Sequence, residues 1–164
     1  MSIVRSYSEQ ETRMHIVLLE SGHEDRKIAI KFLRSNFPIE GITVLRSVEE
    51  FLLQENSLKT PYTLITENYL TLLELRESRE DFDRRHKFLE TNFPWIKNWN
   101  HQEAGERLIR YIREKNNQTS IVIYTHSDQG SISPDILNDP KVRYLSKEAT
   151  DSEDERLRQA IYSF

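Results

Sequence analysis

Five side chains able to do chemistry stand at or just beyond the ends of short apolar runs. Glu20 and Ser21 follow His15–Leu19, Glu67 follows Tyr62–Thr66, Thr125 follows Ile121–Tyr124, and Lys147 closes the run that begins at Val142. In a parallel α/β sheet, ligands and chemistry collect at the carboxyl ends of the strands. If the runs are such strands, two carboxylates, two hydroxyls and one ammonium converge on one small region. That set suits metal-assisted phosphotransfer or hydrolysis with Glu20 and Glu67 as ligands. It equally suits plain ion pairing of Glu67 with Lys147. Other chemistry is thinly represented. The nucleophile-elbow, phosphate-loop and dinucleotide-binding glycine motifs are absent. The five histidines show no zinc-ligand spacing and have no cysteine partners, so no metal site is assigned. Ser21, His126 and Asp128 could be drawn as a triad, but so polar a sequence offers such sets by chance.

The runs themselves, with Ile42–Leu45 as a fifth, are rich in Val, Ile, Leu and Tyr and mostly lack strict alternation. That pattern predicts strands buried on both faces. Helical patterns lie between them. Residues 23–36 place Ile28, Phe32 and Leu33 on one face and close at Pro38. Ser47 caps a helix through Gln54, with Glu50 completing a capping box and Val48, Phe51 and Leu52 inward. Residues 104–116 carry Leu108, Ile109 and Ile112, and a last helix capped by Thr150 or Asp151 places Leu157 and Ile161 one turn apart. Strands separated by helices predict an α/β class.

The chain has 164 residues, which predicts one domain spanning 1–164 with a polar N-terminal tail at 1–13. It has no cysteine, so neither a disulfide framework nor a thiolate nucleophile is available. A net charge of −4 argues against a general nucleic-acid binder. No apolar run approaches the length of a membrane span, and the N-terminus lacks the apolar core of a signal peptide, so a cytoplasmic location is expected.

Taken in order, these segments resemble the receiver domains of two-component response regulators. The segment 16–21 (IVLLES) looks like the acidic-pair segment of that family, and 62–67 (YTLITE) like the strand ending in the phospho-accepting aspartate. Thr125 matches the hydroxyl position, Lys147 the lysine, and Tyr144 the switch aromatic three residues before it; 104–109 (AGERLI) resembles the glycine-containing start of the third receiver helix. The resemblance implies a flavodoxin-like three-layer fold with a five-stranded parallel sheet ordered 2-1-3-4-5. It also implies a role in signal transduction through a protein partner or a homodimer. The departures fall on the chemistry. The acceptor position holds Glu67, the acidic pair has become Glu20 and Ser21, and Glu148 stands where a proline is usual. One extra methylene displaces the carboxylate in a reaction that depends on in-line positioning. The reading is therefore a non-enzymatic pseudo-receiver, with Glu67 as pseudo-phosphoacceptor, no cofactor and at most weak Mg²⁺ binding. The alternative is a Mg²⁺-dependent phosphotransfer or hydrolytic enzyme.

One stretch breaks the strand–helix rhythm. Residues 70–103 form an insertion after strand 3, where Leu75, Phe82 and Leu89 recur every seven residues and Trp95 and Trp99 sit one helical turn apart. A charge-laced background with a narrow apolar stripe predicts an add-on helix. Its stripe either packs on the domain's own surface or, with both tryptophans, supplies a docking or dimerisation surface.

Overall fold

In the computed structural model, residues 6–76, 78–115, 118–147 and 153–164 are described. Glu148 and the helix caps expected at Thr150 or Asp151 lie outside them. Five parallel strands, β1 (Ile16–Leu19), β2 (Ile42–Leu45), β3 (Thr63–Thr66), β4 (Ser120–Thr125) and β5 (Val142–Ser146), form one sheet ordered β2-β1-β3-β4-β5. Successive residues face opposite sides of a strand. Ile16 and Leu18 accordingly join one core with Phe32, Leu33, Val122, Leu157 and Ile161. Val17 and Leu19 join the other, with Phe51, Leu64, Leu108 and Ile112. Both faces are covered, which explains the unalternating apolar runs. The register sets Leu19 beside both Leu45 and Thr66, so β1, β2 and β3 end level, while Ile123 lies beside Thr66 and β4 and β5 run two residues further, to Thr125 beside Ser146.

Helices α2 (His23–Asn36) and α7 (Glu153–Tyr162) pack on the first face. Helices α3 (Val48–Gln54) and α5 (Ala104–Lys115) pack on the second, with α4 (Arg79–Asn92) lying against α3. Several local expectations are corrected. The polar tail contains a short helix, α1 (Glu9–Arg13), closed by a reciprocal box between Ser8 and Glu11. Ile28 points outward and is 57% exposed. The buried face of α2 is made by Arg26, Ala29, Phe32 and Leu33, and the Arg26 guanidinium donates to the carbonyls of Glu20 and Ser21 at 3.1 and 3.3 Å. Ser47 caps α3 by accepting from the Glu50 amide, but the Glu50 carboxylate accepts from the Arg46 amide and binds Arg76 instead of closing the box on Ser47. A one-turn helix, α6 (Pro134–Leu137), precedes β5. Its approach is pinned by Glu106, which accepts from both the amide and the hydroxyl of Ser133.

The insertion is not an appendage. Leu70, Leu72, Leu73, Leu89 and Ile96 are buried in the second core. The carbonyls of Thr71 and Leu72 accept from the amides of Val48 and Glu49, satisfying two donors at the start of α3 that have no partner within the helix. Arg85 of α4 makes a two-pronged bond to Glu49 at 2.8 and 3.0 Å and donates to the Glu74 carbonyl. Trp95 stacks on Tyr111, and the Trp99 indole donates to the Leu70 carbonyl. The Arg107 guanidinium gathers the carbonyls of Trp95, Lys97 and Asn98. The seven-residue recurrence does not make one outward stripe. Leu89 is wholly buried, Phe82 is half-buried, and Leu75 lies before the helix, 65% exposed. Of the five residues offered as an interface, Leu89 belongs to the core, and Phe82, Trp95 and Trp99 lean on it.

Each buried Leu or Ile contributes about 1.5–3 kcal/mol, so the five together rival the roughly 5–15 kcal/mol that holds a whole domain folded. Replacing 70–103 by a Gly-Ser linker is therefore expected to abolish the cooperative urea transition seen by circular dichroism. Retention of that transition would place these residues outside the core.

Candidate functional site

The strand ends bring Glu20, Glu67 and Lys147 together. The Lys147 ammonium lies 2.6 Å from Glu20 Oε2 and 2.8 Å from Glu67 Oε2, and all three side chains are nearly inaccessible. A third carboxylate, which sequence reasoning missed, completes the set: Asp25 Oδ2 on the first turn of α2 is 3.2 Å from the same ammonium. Glu20, Asp25 and Glu67 each offer an oxygen within 4.8 Å of the others. The second oxygens are also occupied: Glu20 Oε1 accepts from the Gly22 amide at 2.9 Å, and Glu67 Oε1 accepts from the Asn68 amide at 2.8 Å. The Tyr124 ring lies 5.3 Å from the ammonium and adds a cation–π contact.

One cation serving several carboxylates divides its effect unequally. Burial acts to lower the pKa of Lys147, but the charges of Glu67 and Glu20 outweigh it and raise the group above its ordinary value. Burial raises the pKa of Glu20; its share of Lys147 and the Gly22 amide offset this only in part, and the charge of Glu67 adds to the rise.

The remaining expected positions fall around this centre with other duties. Ser21 donates to the Arg46 carbonyl at 2.8 Å and accepts from the Thr71 amide at 3.0 Å, so its hydroxyl ties together the loops after β1, β2 and β3. Thr125 accepts from the Ser127 amide and stabilises the turn after β4, while its carbonyl receives the Lys147 amide. Tyr144 donates to the Ser127 carbonyl at 2.7 Å. His126 pairs with Asp25 at 3.2 Å rather than with Asp128, and Ser21 is committed to backbone groups, so the three do not form a triad. Above the cluster, His126, Ser127 and an exposed Tyr69 rim a shallow cavity of about 340 Å³. Tyr69 stacks on His101, whose Nδ1 contacts the Leu70 carbonyl, so the insertion also builds this rim.

Gly105, at the start of α5, fixes the floor. Its amide donates to the Asn68 carbonyl, and a β-carbon there would lie 2.8 Å from both the Glu67 carbonyl oxygen and the Asn68 α-carbon. The glycine in the segment 104–109 thus serves a close approach of helix to strand end.

A divalent cation is the group the receiver resemblance implies here, and Glu20, Asp25 and Glu67 are the residues that could hold it. The Lys147 ammonium already lies among the carboxylates, and Ser21 supplies a tethered hydroxyl where a second acid would be needed. Mg²⁺ holds to near-ideal octahedral geometry, and to reach the three carboxylates it would have to take their oxygens from the ammonium.

Two consequences are measurable. Lys147→Met strands two buried carboxylates and is expected to cost about 3–5 kcal/mol at neutral pH, while Gly105→Ala should cost about 1–3 kcal/mol by overpacking; urea denaturation reads both. The raised Glu20 makes the folded state hold a proton that the unfolded chain releases near the ordinary glutamate value of about 4.3. Stability of the wild type relative to Glu20→Gln should therefore fall as pH rises through that window. A pH-independent difference would contradict the assignment.

With the geometry in place, comparison with known proteins identifies the fold. The backbone is similar to the signal receiver domain of an HD domain-containing protein from Pseudomonas fluorescens Pf-5, with a TM-score of 0.60 and 17% identity over 92% of this chain and 93% of that one. It is similar to the non-phosphorylated receiver domain of the stress response regulator RcsB from Escherichia coli, with a TM-score of 0.56 and 15% identity over 89% and 88%. It also resembles RcsB from Salmonella enterica serovar Typhimurium bound to promoter rprA in the presence of phosphomimetic BeF3−, with a TM-score of 0.57 and 14% identity over 91% of this chain and 66% of that one. No protein-family model and no curated protein matches the sequence. The five-stranded sheet in the order 2-1-3-4-5, with helices on both faces, is the flavodoxin-like fold of response-regulator receiver domains.

Proposed function

We propose that this chain is a cytoplasmic pseudo-receiver that acts in signal transduction by protein–protein contact, without catalysis and without regulated phosphorylation. The observation that carries this reading is the state of Glu67. At the position of the receiver acceptor it has both oxygens engaged, one by the Asn68 amide and one by the Lys147 ammonium. A phosphoryl acceptor needs a free oxygen aligned with the donor. A phosphoryl group on Glu67 would have to displace the ammonium from Oε2 or take the oxygen bound by the Asn68 amide. Contact with a protein partner or a second copy fits the fold: RcsB, with the same architecture, is seen as two dimers bound to two parallel DNAs. Among the described residues no helix is long and apolar enough to cross a membrane.

One observation favours a second reading, Mg²⁺-dependent phosphotransfer or hydrolysis: the three carboxylate oxygens within 4.8 Å. Lys147 weighs against it, because a divalent ion would have to expel a buried ammonium held at 2.6 and 2.8 Å.

Incubation with Mg²⁺ and acetyl phosphate or beryllofluoride separates the two. Intact-mass spectrometry is expected to show no phosphoryl group on Glu67, and fluorine NMR no bound beryllofluoride. Stoichiometric modification or binding would overturn the proposal, and sustained Mg²⁺-dependent release of phosphate would establish the enzyme. The double variant Glu67→Asp, Ser21→Asp is expected to gain Mg²⁺ affinity. It should also lose stability, because the Arg46 carbonyl is left without its donor.

A further inference from the structure

At the end of the sheet opposite the acidic cluster, α1 and the entries to β1, β3, β4 and β5 frame an open hollow of about 760 Å³. Its polar wall follows from strand register. Thr63 lies beside Ser120, and Lys141 precedes Val142, the partner of Ile121, which sets it beside Ser120 in turn. Register partners in a parallel sheet turn their side chains to one face, here the face of Ile16, the partner of Thr63. Two hydroxyls and an ammonium therefore stand in a row on strands about 4.8 Å apart, and all three residues line the hollow. Among the described residues none of these three side chains has a hydrogen-bond or ion-pair partner.

The backbone of Lys141 is fixed from both sides. Its amide donates to Asp139 Oδ1 at 2.8 Å, and its carbonyl accepts from the Ile121 amide and from Arg113. The acids nearby are already taken, Asp139 by Arg113 and Glu9 by Arg13. The Tyr62 phenol, pushed up to about 12 chiefly by burial, stays neutral. The uncompensated charge of the hollow is thus the Lys141 ammonium. The rest of the wall includes Met14, Pro61 and Phe164. Arg143 lies 4.7 Å over the Phe164 ring and donates to the Ser163 hydroxyl, which holds the ring in place. Glu11 pairs with Arg158 at 3.6 Å and ties α1 to α7.

We propose that this hollow binds a small organic acid with an apolar body and a second oxygen, a hydroxy or keto acid. The carboxylate meets the Lys141 ammonium and the Ser120 hydroxyl. Thr63, one strand further along the row, takes the second oxygen, and the body lies against Met14, Pro61 and Phe164. The volume falls within the roughly 300–1,000 Å³ of small-molecule sites, which likewise set a few placed polar groups in an apolar wall. Charge and polarity select this occupant. A neutral apolar molecule would cover an ammonium and two hydroxyls without satisfying them. A polyanion needs several cations, and this wall offers one that is unpaired.

The test titrates the full ¹⁵N-labelled chain with phenyllactate, mandelate and phenylpyruvate, and with acetate, inorganic phosphate and the methyl ester of phenyllactate as comparators. At least one of the aromatic acids is expected to shift the amide signals of Thr63, Ser120 and Lys141 while leaving those of Gly22 and Asn68 in place. Lys141→Met should weaken binding roughly ten-fold or more, because it removes the charged partner of the carboxylate. Ser120→Ala and Phe164→Ala should each weaken it by a smaller factor. The Lys141 and Ser120 side chains have no partner within the described chain, so both variants are expected to keep the wild-type urea midpoint. Silence of these signals with every aromatic acid at millimolar concentration would overturn the proposal, as would shifts confined to another surface. Equal binding of acetate or phosphate would reduce the hollow to an unselective anion patch, and equal binding of the ester would remove the ammonium from recognition; either result overturns it. The hollow lies at the far end of the sheet from Glu67, so the outcome with acetyl phosphate leaves this inference to be judged separately.

Discussion

The architecture of the site turns on one buried ammonium. Lys147 reaches across the ends of β5, β4, β3 and β1 to meet Glu67 and Glu20, and touches Asp25 on α2. Taking an ammonium and carboxylates out of water costs several kcal/mol per ion, recovered only where geometry is good and the remaining polar atoms are satisfied. Here they are satisfied: the spare oxygens of Glu20 and Glu67 accept from the amides of Gly22 and Asn68. The arrangement joins elements far apart in the chain, so the strand ends cannot shift independently of one another. It also explains the opposite fates of the two charges. The lysine benefits from both Glu67 and Glu20, whereas Glu20 has only a share of one cation and stands near another anion.

Around that centre the loops are laced by polar groups that would serve chemistry in another context. Ser21 is the clearest instance. Its place beside Glu20 suggests a ligand, yet the hydroxyl donates to one loop and accepts from another, a duty that a carboxylate, which accepts only, could not perform. The insertion takes part in the same lacing. Thr71 bonds Ser21 and α3, Leu70 receives Trp99 and contacts His101, and Arg85 fastens α4 to Glu49. An acidic cleft, the roof over α3 and the aromatic rim at Tyr69 are one cooperative assembly.

The strands, their ends and three of the four residues of the central ion cluster are legible in the sequence because each rests on local information. Apolar runs such as Ile16–Leu19 and Ile121–Tyr124 suit doubly buried strands, and Glu20, Glu67 and Lys147 follow their strands closely. What the tertiary structure decided depends on partners distant in sequence. Asp25 enters the cluster and Ile28 stays outside the core because α2 turns Arg26, Ala29, Phe32 and Leu33 inward; helical period alone leaves that rotation open. Leu70, Leu72 and Leu73 lie in an irregular segment with no period to read, so their burial follows only from the gap they fill beside α3 and α5. The seven-residue spacing of Leu75, Phe82 and Leu89 suggested one stripe, but α4 begins only at Arg79, leaving Leu75 outside it. Residue types and spacing thus determined which groups arrive at the strand ends. Long-range packing and the pairing of buried charge decided which are held there, and in what state.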